Sequence, residues 1–382
     1  MLLIIYFFIS FLRCINSELF LLQYVILGDS YESLFKVSGS NTSLVAIPNI
    51  SSNITWFSDD VFSQNLSFFK VIEEQKIKIE DDFYNAFEIE ASLEASKMVV
   101  KNFRFFYPPS SLGILLDSLG LAFKFSDIKY SLIHQLKLQG IIDKLQFGIS
   151  KLLFEDDGIL YIGGMFNSIL VNYERATCKI NPNYITWGCN LNYFYINDNV
   201  SIGYKISDYS YFTTETSKII VPEHFFEYLK KNIFHKYLEE KVCNIEEKYV
   251  TNVKFNCKCS SINDFPTFTF VIDNIKFEFI KFHLFDSIGA NCNFLIQTNK
   301  NKTNGNNVWI LGTQFFNQYY TLYDYENETV TFFQDDEFSF IDISSYLSSK
   351  YYAHRLSLFI ILMIIMALTI IELIYTRIKF NY

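Results

Sequence analysis

Trp309-Ile310-Leu311-Gly312-Thr313-Gln314-Phe315-Phe316-Asn317-Gln318-Tyr319-Tyr320-Thr321-Leu322-Tyr323-Asp324 is the stretch that decides how this chain folds. Its glycine closes an apolar run, and an earlier stretch, Ser118-Leu119-Gly120-Leu121-Ala122-Phe123, does the same. Two other segments share a second pattern. One is Gly39-Ser40-Asn41-Thr42-Ser43-Leu44-Val45-Ala46-Ile47-Pro48 and the other Thr213-Thr214-Glu215-Thr216-Ser217-Lys218-Ile219-Ile220-Val221-Pro222. Each carries a hydroxyl residue second, Thr-Ser fourth and fifth, and proline tenth, and their starts lie 174 residues apart. A repeat of that length means two similar lobes rather than a solenoid.

Together these stretches resemble the landmarks of the pepsin-like aspartic proteases. The 309–324 stretch is similar to that family's C-terminal signature, and Glu326-Asn327-Glu328-Thr329-Val330-Thr331-Phe332 to its closing hairpin. In the first half, Gln139-Gly140-Ile141-Ile142, Phe147-Gly148-Ile149-Ser150 and Leu160-Tyr161-Ile162-Gly163-Gly164 continue the pattern. The landmarks run in order from about residue 20 to 335, with 50–110 the least similar part. The resemblance implies an all-β, bilobal fold with short helices and a cleft between two pseudo-twofold lobes. In that fold Leu119-Gly120 and Leu311-Gly312 supply the glycine that lets another backbone cross closely.

The family's two arms begin Asp-Thr-Gly. With this register the two aspartate positions hold Gly39 and Thr213, so neither catalytic carboxylate is present. The family reaction needs two carboxylates sharing one proton, one acting as base and the other as acid. A glycine has no side chain, and a threonine hydroxyl stays protonated. The cleft-lining residues implied are Ser40, Asn41, Thr214, Glu215 and Thr216, with Asp81 and Tyr84 from the hairpin that would cover the site. That hairpin, Ile77-Lys78-Ile79-Glu80-Asp81-Asp82-Phe83-Tyr84, lacks the family's glycines. Asp208, five residues before Thr213, is the alternative acid, and Glu215 stands at a glycine position where its carboxylate could enter the cleft.

The ends of the chain read as membrane traffic signals. Residues 1–17 are apolar and stop at Asn16-Ser17, as a secretory signal peptide does, without the usual charged start. Residues 356–375 carry one charge, Glu372, and are long enough to span a bilayer; 376–382 would form a short cytoplasmic tail. A removed glycolipid-anchor signal is the alternative, disfavoured by the basic residues that follow. The expected lobes are 18–180 and 181–345. Beyond Cys14, six cysteines remain, an even count that suggests disulfides in an oxidising compartment and leaves fifteen connectivities open. The resemblance points to Cys259–Cys292 as the C-lobe loop, with Cys178–Cys189 and Cys243–Cys257 as the other candidate pairs. Seven Asn-x-Ser/Thr sites (Asn41, Asn49, Asn53, Asn65, Asn199, Asn301, Asn327) suit the same compartment.

A net charge of −9 argues against a nucleic-acid partner. The five histidines (His134, His224, His235, His283, His354) show no metal-ligand spacing, and no cofactor or metal is expected. Helices are expected at Tyr130–Gln139, stopped by Gly140, and at Glu223–Glu240 after Pro222. The resulting expectation is a monomeric, type I membrane-anchored member of the pepsin-like group. It has lost peptidase activity and binds a peptide or protein ligand in its cleft. An active endopeptidase with a non-standard acid pair and a structural or adhesive surface protein are the alternatives.

Overall fold

Alternation of apolar and polar side chains commits most of this chain to strands. In Ile275–Phe279, Phe277 and Phe279 are buried while Lys276 and Glu278 are exposed. Its neighbour Phe268–Ile272 is buried at all five residues and lies between Ile275–Phe279 and Gly188–Ile196. Such a continuously apolar strand belongs in a sheet interior.

The computed structural model describes residues between 20 and 334, except 28–29, 38–42, 59–68, 80–81, 96–97, 110–116, 125–127, 152–156, 165–173, 182, 185, 198, 249–251, 274, 300–308 and 317–318. The strands described there form two sheets, one of twelve and one of eleven, within a single contact unit. The all-β expectation therefore holds. The first sheet contains every described strand of the first half, from Phe20–Leu27 to Glu174–Lys179. It also takes in Tyr320–Asp324, paired with Gln146–Lys151, and Thr329–Gln334, paired with Glu174–Lys179. The division near residue 180 in sequence is thus not the division in space, because the last two described strands cross back.

Aromatic rings fill the interior. Phe234 stacks on Phe255 with centroids 3.8 Å apart, and Phe265, Phe285 and Phe294 pack around them. Polar bonds join sequence-distant parts. The Leu121 carbonyl accepts Trp187 Nε1–H at 2.7 Å and the Tyr325 hydroxyl at 3.0 Å. Burial holds the Tyr325 phenol well above its ordinary pKa, so it remains a donor.

Both expected helices form. The first is a 3₁₀ turn, Ile128–Tyr130, followed by Leu132–Leu138, and Gly140 beyond it has φ +67°. The second runs Glu223–Leu229, continues through a π-helical turn at Lys230–Phe234, and ends as His235–Glu239. The π turn turns the buried face so that Ile233 and Phe234 both enter the core. Three disulfides link Cys178–Cys189, Cys243–Cys257 and Cys259–Cys292, the candidate set. Cys178, Cys189 and Asp273 lie close together but form no metal site, because the two sulfurs are bonded to each other. No helix among the described residues is long and apolar enough to cross a membrane, and the segments 1–17 and 356–375 lie outside them.

Glycine is required at two crossings. A Cβ on Gly120 would lie 2.6 Å from the Ile54 carbonyl carbon, and one on Gly312 would collide with the carbonyl oxygens of Thr216 and Lys218. Gly120→Ala and Gly312→Ala are therefore each expected to cost about 3 kcal/mol or more, read as a lowered urea midpoint. A second test concerns pH. His283 Nδ1 is buried without a hydrogen-bond partner, and desolvation lowers the ring's pKa to about 4. Between about pH 6.5 and that value the unfolded chain takes up a proton that the folded ring refuses, so stability is lost as pH falls through this window. His283→Gln is expected to shrink that fall in melting temperature relative to the parent chain.

Candidate functional site

The site lies where two chain turns meet, each at the end of a parallel strand pair. Ser43–Asn49 runs parallel to Ser118–Gly120, with Pro48 opposite Leu119 and Asn49 opposite Gly120. The long strand Asn199–Phe212 runs parallel to Trp309–Leu311, with Phe212 opposite Leu311. Its next residue, Thr213, therefore stands to Gly312 as Asn49 stands to Gly120. The equivalent pairs follow in order: Pro48 with Phe212, Asn49 with Thr213, Ile50 with Thr214, and Ser51 with Glu215.

This register corrects the first arm. Gly39, Ser40 and Asn41 lie outside the described residues, and the residue that takes the place opposite Thr213 is Asn49, not Gly39. Pro48 stands directly before the crossing instead of closing the motif. Ser51, not Asn41, occupies the position matching Glu215. The signal for this register is the apolar run Leu44-Val45-Ala46-Ile47. It is the strand that enters the turn, as the strand ending at Phe212 does in the second half.

Hydroxyl and amide groups knit the two turns together. Thr214 is fully buried; its Oγ1 donates to the Pro48 carbonyl and accepts from the Ile50 N–H at 3.4 Å. The twofold counterpart of this bridge would start from residue 50, but Ile50 has no hydroxyl. Ser51 Oγ lies in its place, 3.5 Å from the Phe212 carbonyl and 3.1 Å from Thr213 Oγ1. Asn49 is 3% exposed. Its Oδ1 accepts the backbone N–H groups of Ser51 at 2.9 Å and Ser52 at 3.0 Å. That fixes the amide orientation, so Nδ2 is the atom that donates to Glu215 Oε1 at 2.6 Å. Although Asn49-Ile50-Ser51 is a glycosylation signal, its side-chain nitrogen is committed within the folded protein.

The chemistry follows from these residues. The two crossing positions hold an amide and a hydroxyl, neither of which ionises near neutral pH. Glu215 brings one carboxylate, held by the Asn49 amide. Asp208 is engaged elsewhere, accepting Trp309 Nε1–H at 3.0 Å.

The covering hairpin is formed by Phe69–Ile79 and Asp82–Ala95. Asp81 lies outside the described residues, and Tyr84 packs on a cluster that includes Ile54 and Trp56, just past the first turn. The hairpin base is anchored by buried Glu88, which accepts Tyr130 Oη–H at 2.7 Å and pairs with Arg104 at 3.3 Å. Beside the turns is a cavity of about 560 Å³ lined by Ser51, Thr186, Tyr211, Thr213, Glu215 and Gln297, among others. Thr216 also lines it, and its hydroxyl accepts the Lys218 N–H at 3.2 Å.

The sequence model described as Eukaryotic aspartyl protease matches residues 90–334. The chain belongs to the eukaryotic aspartyl protease family. Among solved structures, the aspartic proteinase from Irpex lacteus superimposes with a TM-score of 0.65, covering 83% of this chain and 98% of that one at 14% identity. That likeness establishes the fold. Gastricsin from Homo sapiens is 32% identical over 80 residues, 21% of either chain. Gastricsin from Cavia porcellus is 40% identical over 75 residues, 19% of either. The chain thus spans about a fifth of the length of these curated relatives. The aspartyl protease match begins after Asn49, so the first arm is placed by strand pairing alone. The family's activity is aspartic endopeptidase, and three disulfides suit a secreted or lumenal aspartyl protease fold.

The Thr214 bridge predicts a measurable cost. Thr214→Val leaves a buried carbonyl and N–H without their partner, and is expected to destabilise the protein by about 1–3 kcal/mol in urea unfolding. Thr214→Ser, which keeps the hydroxyl, is expected to lose less than half of that.

Proposed function

We propose that this chain is a catalytically silent aspartyl protease relative that binds an extended peptide or protein segment in its interlobe cleft. The observation that carries this reading is the pair Asn49 and Thr213 at the two crossing positions. Water activation by the family's route needs a base and an acid built from two adjacent carboxylates. An amide and a hydroxyl supply neither. Removing a unit that acts as a pair abolishes most of the rate acceleration rather than trimming it. The turns that carry the pair stay intact, held by Thr214, Gly120 and Gly312. Extended peptides can bind such a cleft through main-chain hydrogen bonds alone. A type I membrane anchor at 356–375 after a cleaved leader completes the proposal and would place the cleft outside the cytosol.

A second reading, an active endopeptidase with an unusual acid, rests on Glu215, whose carboxylate reaches the same crossing. One experiment separates the two. The full chain is incubated with a peptide library from pH 3 to 7, alongside Glu215→Gln and the quadruple variant Asn49→Asp, Ser51→Gly, Thr213→Asp, Glu215→Gly. Silence of the parent and pepstatin-sensitive cleavage by the quadruple variant are expected. Cleavage by the parent that Glu215→Gln removes would establish the second reading instead.

A further inference from the structure

One register line crosses the floor of the cavity beside the two turns. Tyr211 is opposite Ile310, Ile310 is opposite Ile220, and Ile220 is opposite Gln297. Directly opposed residues share a face of a sheet, so these four side chains point the same way, and all four line the cavity. The row reads phenol, two aliphatic chains, amide. Three strand spacings of ~4.8 Å separate its ends, about 14 Å between backbones. Gln297 is 9% exposed, and among the described residues its amide has no hydrogen-bond partner. Thr186, two residues before the Gly188 that pairs with Tyr211, adds a buried hydroxyl that also has none. Edge-on contact with Tyr184 at 5.4 Å and Tyr209 at 5.2 Å holds the Tyr211 ring. Burial raises its pKa, so the phenol remains a donor. Glu215 borders the same space, but its carboxylate is engaged within the protein, at Oε1 by the Asn49 amide.

We infer that this cavity is a specificity pocket for a primary carboxamide side chain, the glutamine of a peptide lying in the cleft. The inference rests on the cleft reading above and names the side chain that the cleft selects. A buried amide needs an acceptor for its N–H groups and a donor for its carbonyl. A second carboxamide, set head to head with Gln297, supplies both in a pair of parallel bonds. A carboxylate only accepts and an ammonium only donates, so each leaves half of the Gln297 amide unpaired. A hydrocarbon chain leaves both halves unpaired, which a site built for hydrogen bonds rejects. Serine and threonine hydroxyls donate and accept, but they lack a stem long enough to cover Ile220 and Ile310. The glutamine methylenes lie on those isoleucines. At the other end of the row, the Tyr211 phenol and the Thr186 hydroxyl meet main-chain groups of the same peptide.

The test uses an array of extended peptides that differ at one position, which carries glutamine, glutamate, lysine or norleucine. Their binding to the full chain is measured by titration calorimetry, with N-acetyl-glutamine methylamide and N-acetyl-norleucine methylamide alongside. The best glutamine peptide is expected to bind about tenfold or more tightly than its three counterparts, a difference of about 1.4 kcal/mol. Gln297→Met, which keeps the chain length and removes the amide, is expected to erase that preference and leave norleucine binding no weaker. Thr186→Val is expected to weaken the glutamine peptide severalfold. Neither variant removes a bond that the fold uses, so both are expected to melt at the parent's temperature. Equal binding of the glutamine and norleucine peptides, or a preference that survives Gln297→Met, overturns the pocket and leaves the cleft reading standing. A lowered melting temperature in both variants assigns the two polar groups to the fold and likewise overturns the pocket. Capped glutamine that binds as tightly as any peptide containing it supports the pocket and removes the cleft reading instead. Absence of binding by every probe overturns both.

Discussion

Everything at the centre of this protein depends on two places where backbones touch without a side chain between them. Gly120 lies against Ile54, and Gly312 against Thr216 and Lys218. The contact at Gly312 lets its N–H reach the Lys218 carbonyl at 3.1 Å and the Thr313 N–H reach the Thr216 carbonyl at 2.7 Å. Each crossing holds one turn in a fixed place at the end of a parallel strand pair. The turns can then face each other closely enough for one threonine hydroxyl to span them. Any side chain at either glycine would separate strands whose hydrogen bonds define the cleft.

The bridge between the turns is built from one side only. Thr214 contacts both Pro48 and Ile50, whereas Ile50 returns only an N–H. Ser51 and Asn49 take over the rest, through Phe212, Thr213 and Glu215. The centre of the molecule is thus a one-sided polar network. Buried polar groups are tolerated because almost every one has a partner within reach.

Much of this was legible in the sequence. The 309–324 stretch reads as strand, glycine, helix and strand, and the structure has Trp309–Leu311, Gly312, Thr313–Phe316 and Tyr320–Asp324. Both longer helices were also readable, and the three disulfides match the candidate pairs, although the cysteine count itself left the connectivity open. The first arm was not, because the three residues that open it had all changed. Asn49, Ile50 and Ser51 replace acid, hydroxyl and glycine together, while an unrelated Thr-Ser pair and Pro48 imitated the motif ten residues early. Strand periodicity alone cannot choose between registers, since a strand may lead into a turn or out of it. The parallel pairing with Ser118–Gly120 supplies the missing information, and it is a contact about seventy residues distant in sequence. The pocket chemistry was equally hidden, because Tyr211, Thr186 and Gln297 meet Glu215 only after the second sheet has formed.

The return of the last strands has a consequence for how the protein is made. Gln146–Lys151 leaves any channel or ribosome long before its neighbour Tyr320–Asp324 has been synthesised. Until then one edge of the first sheet has nothing to pair with, and an open strand edge invites association with other chains. Contacts this distant also form slowly. None of the three disulfides joins a residue before Cys178, so no covalent link steadies that half during the wait. That edge stays open until nearly the whole fold is available, and a product cut short before residue 320 would emerge with its sheet unfinished.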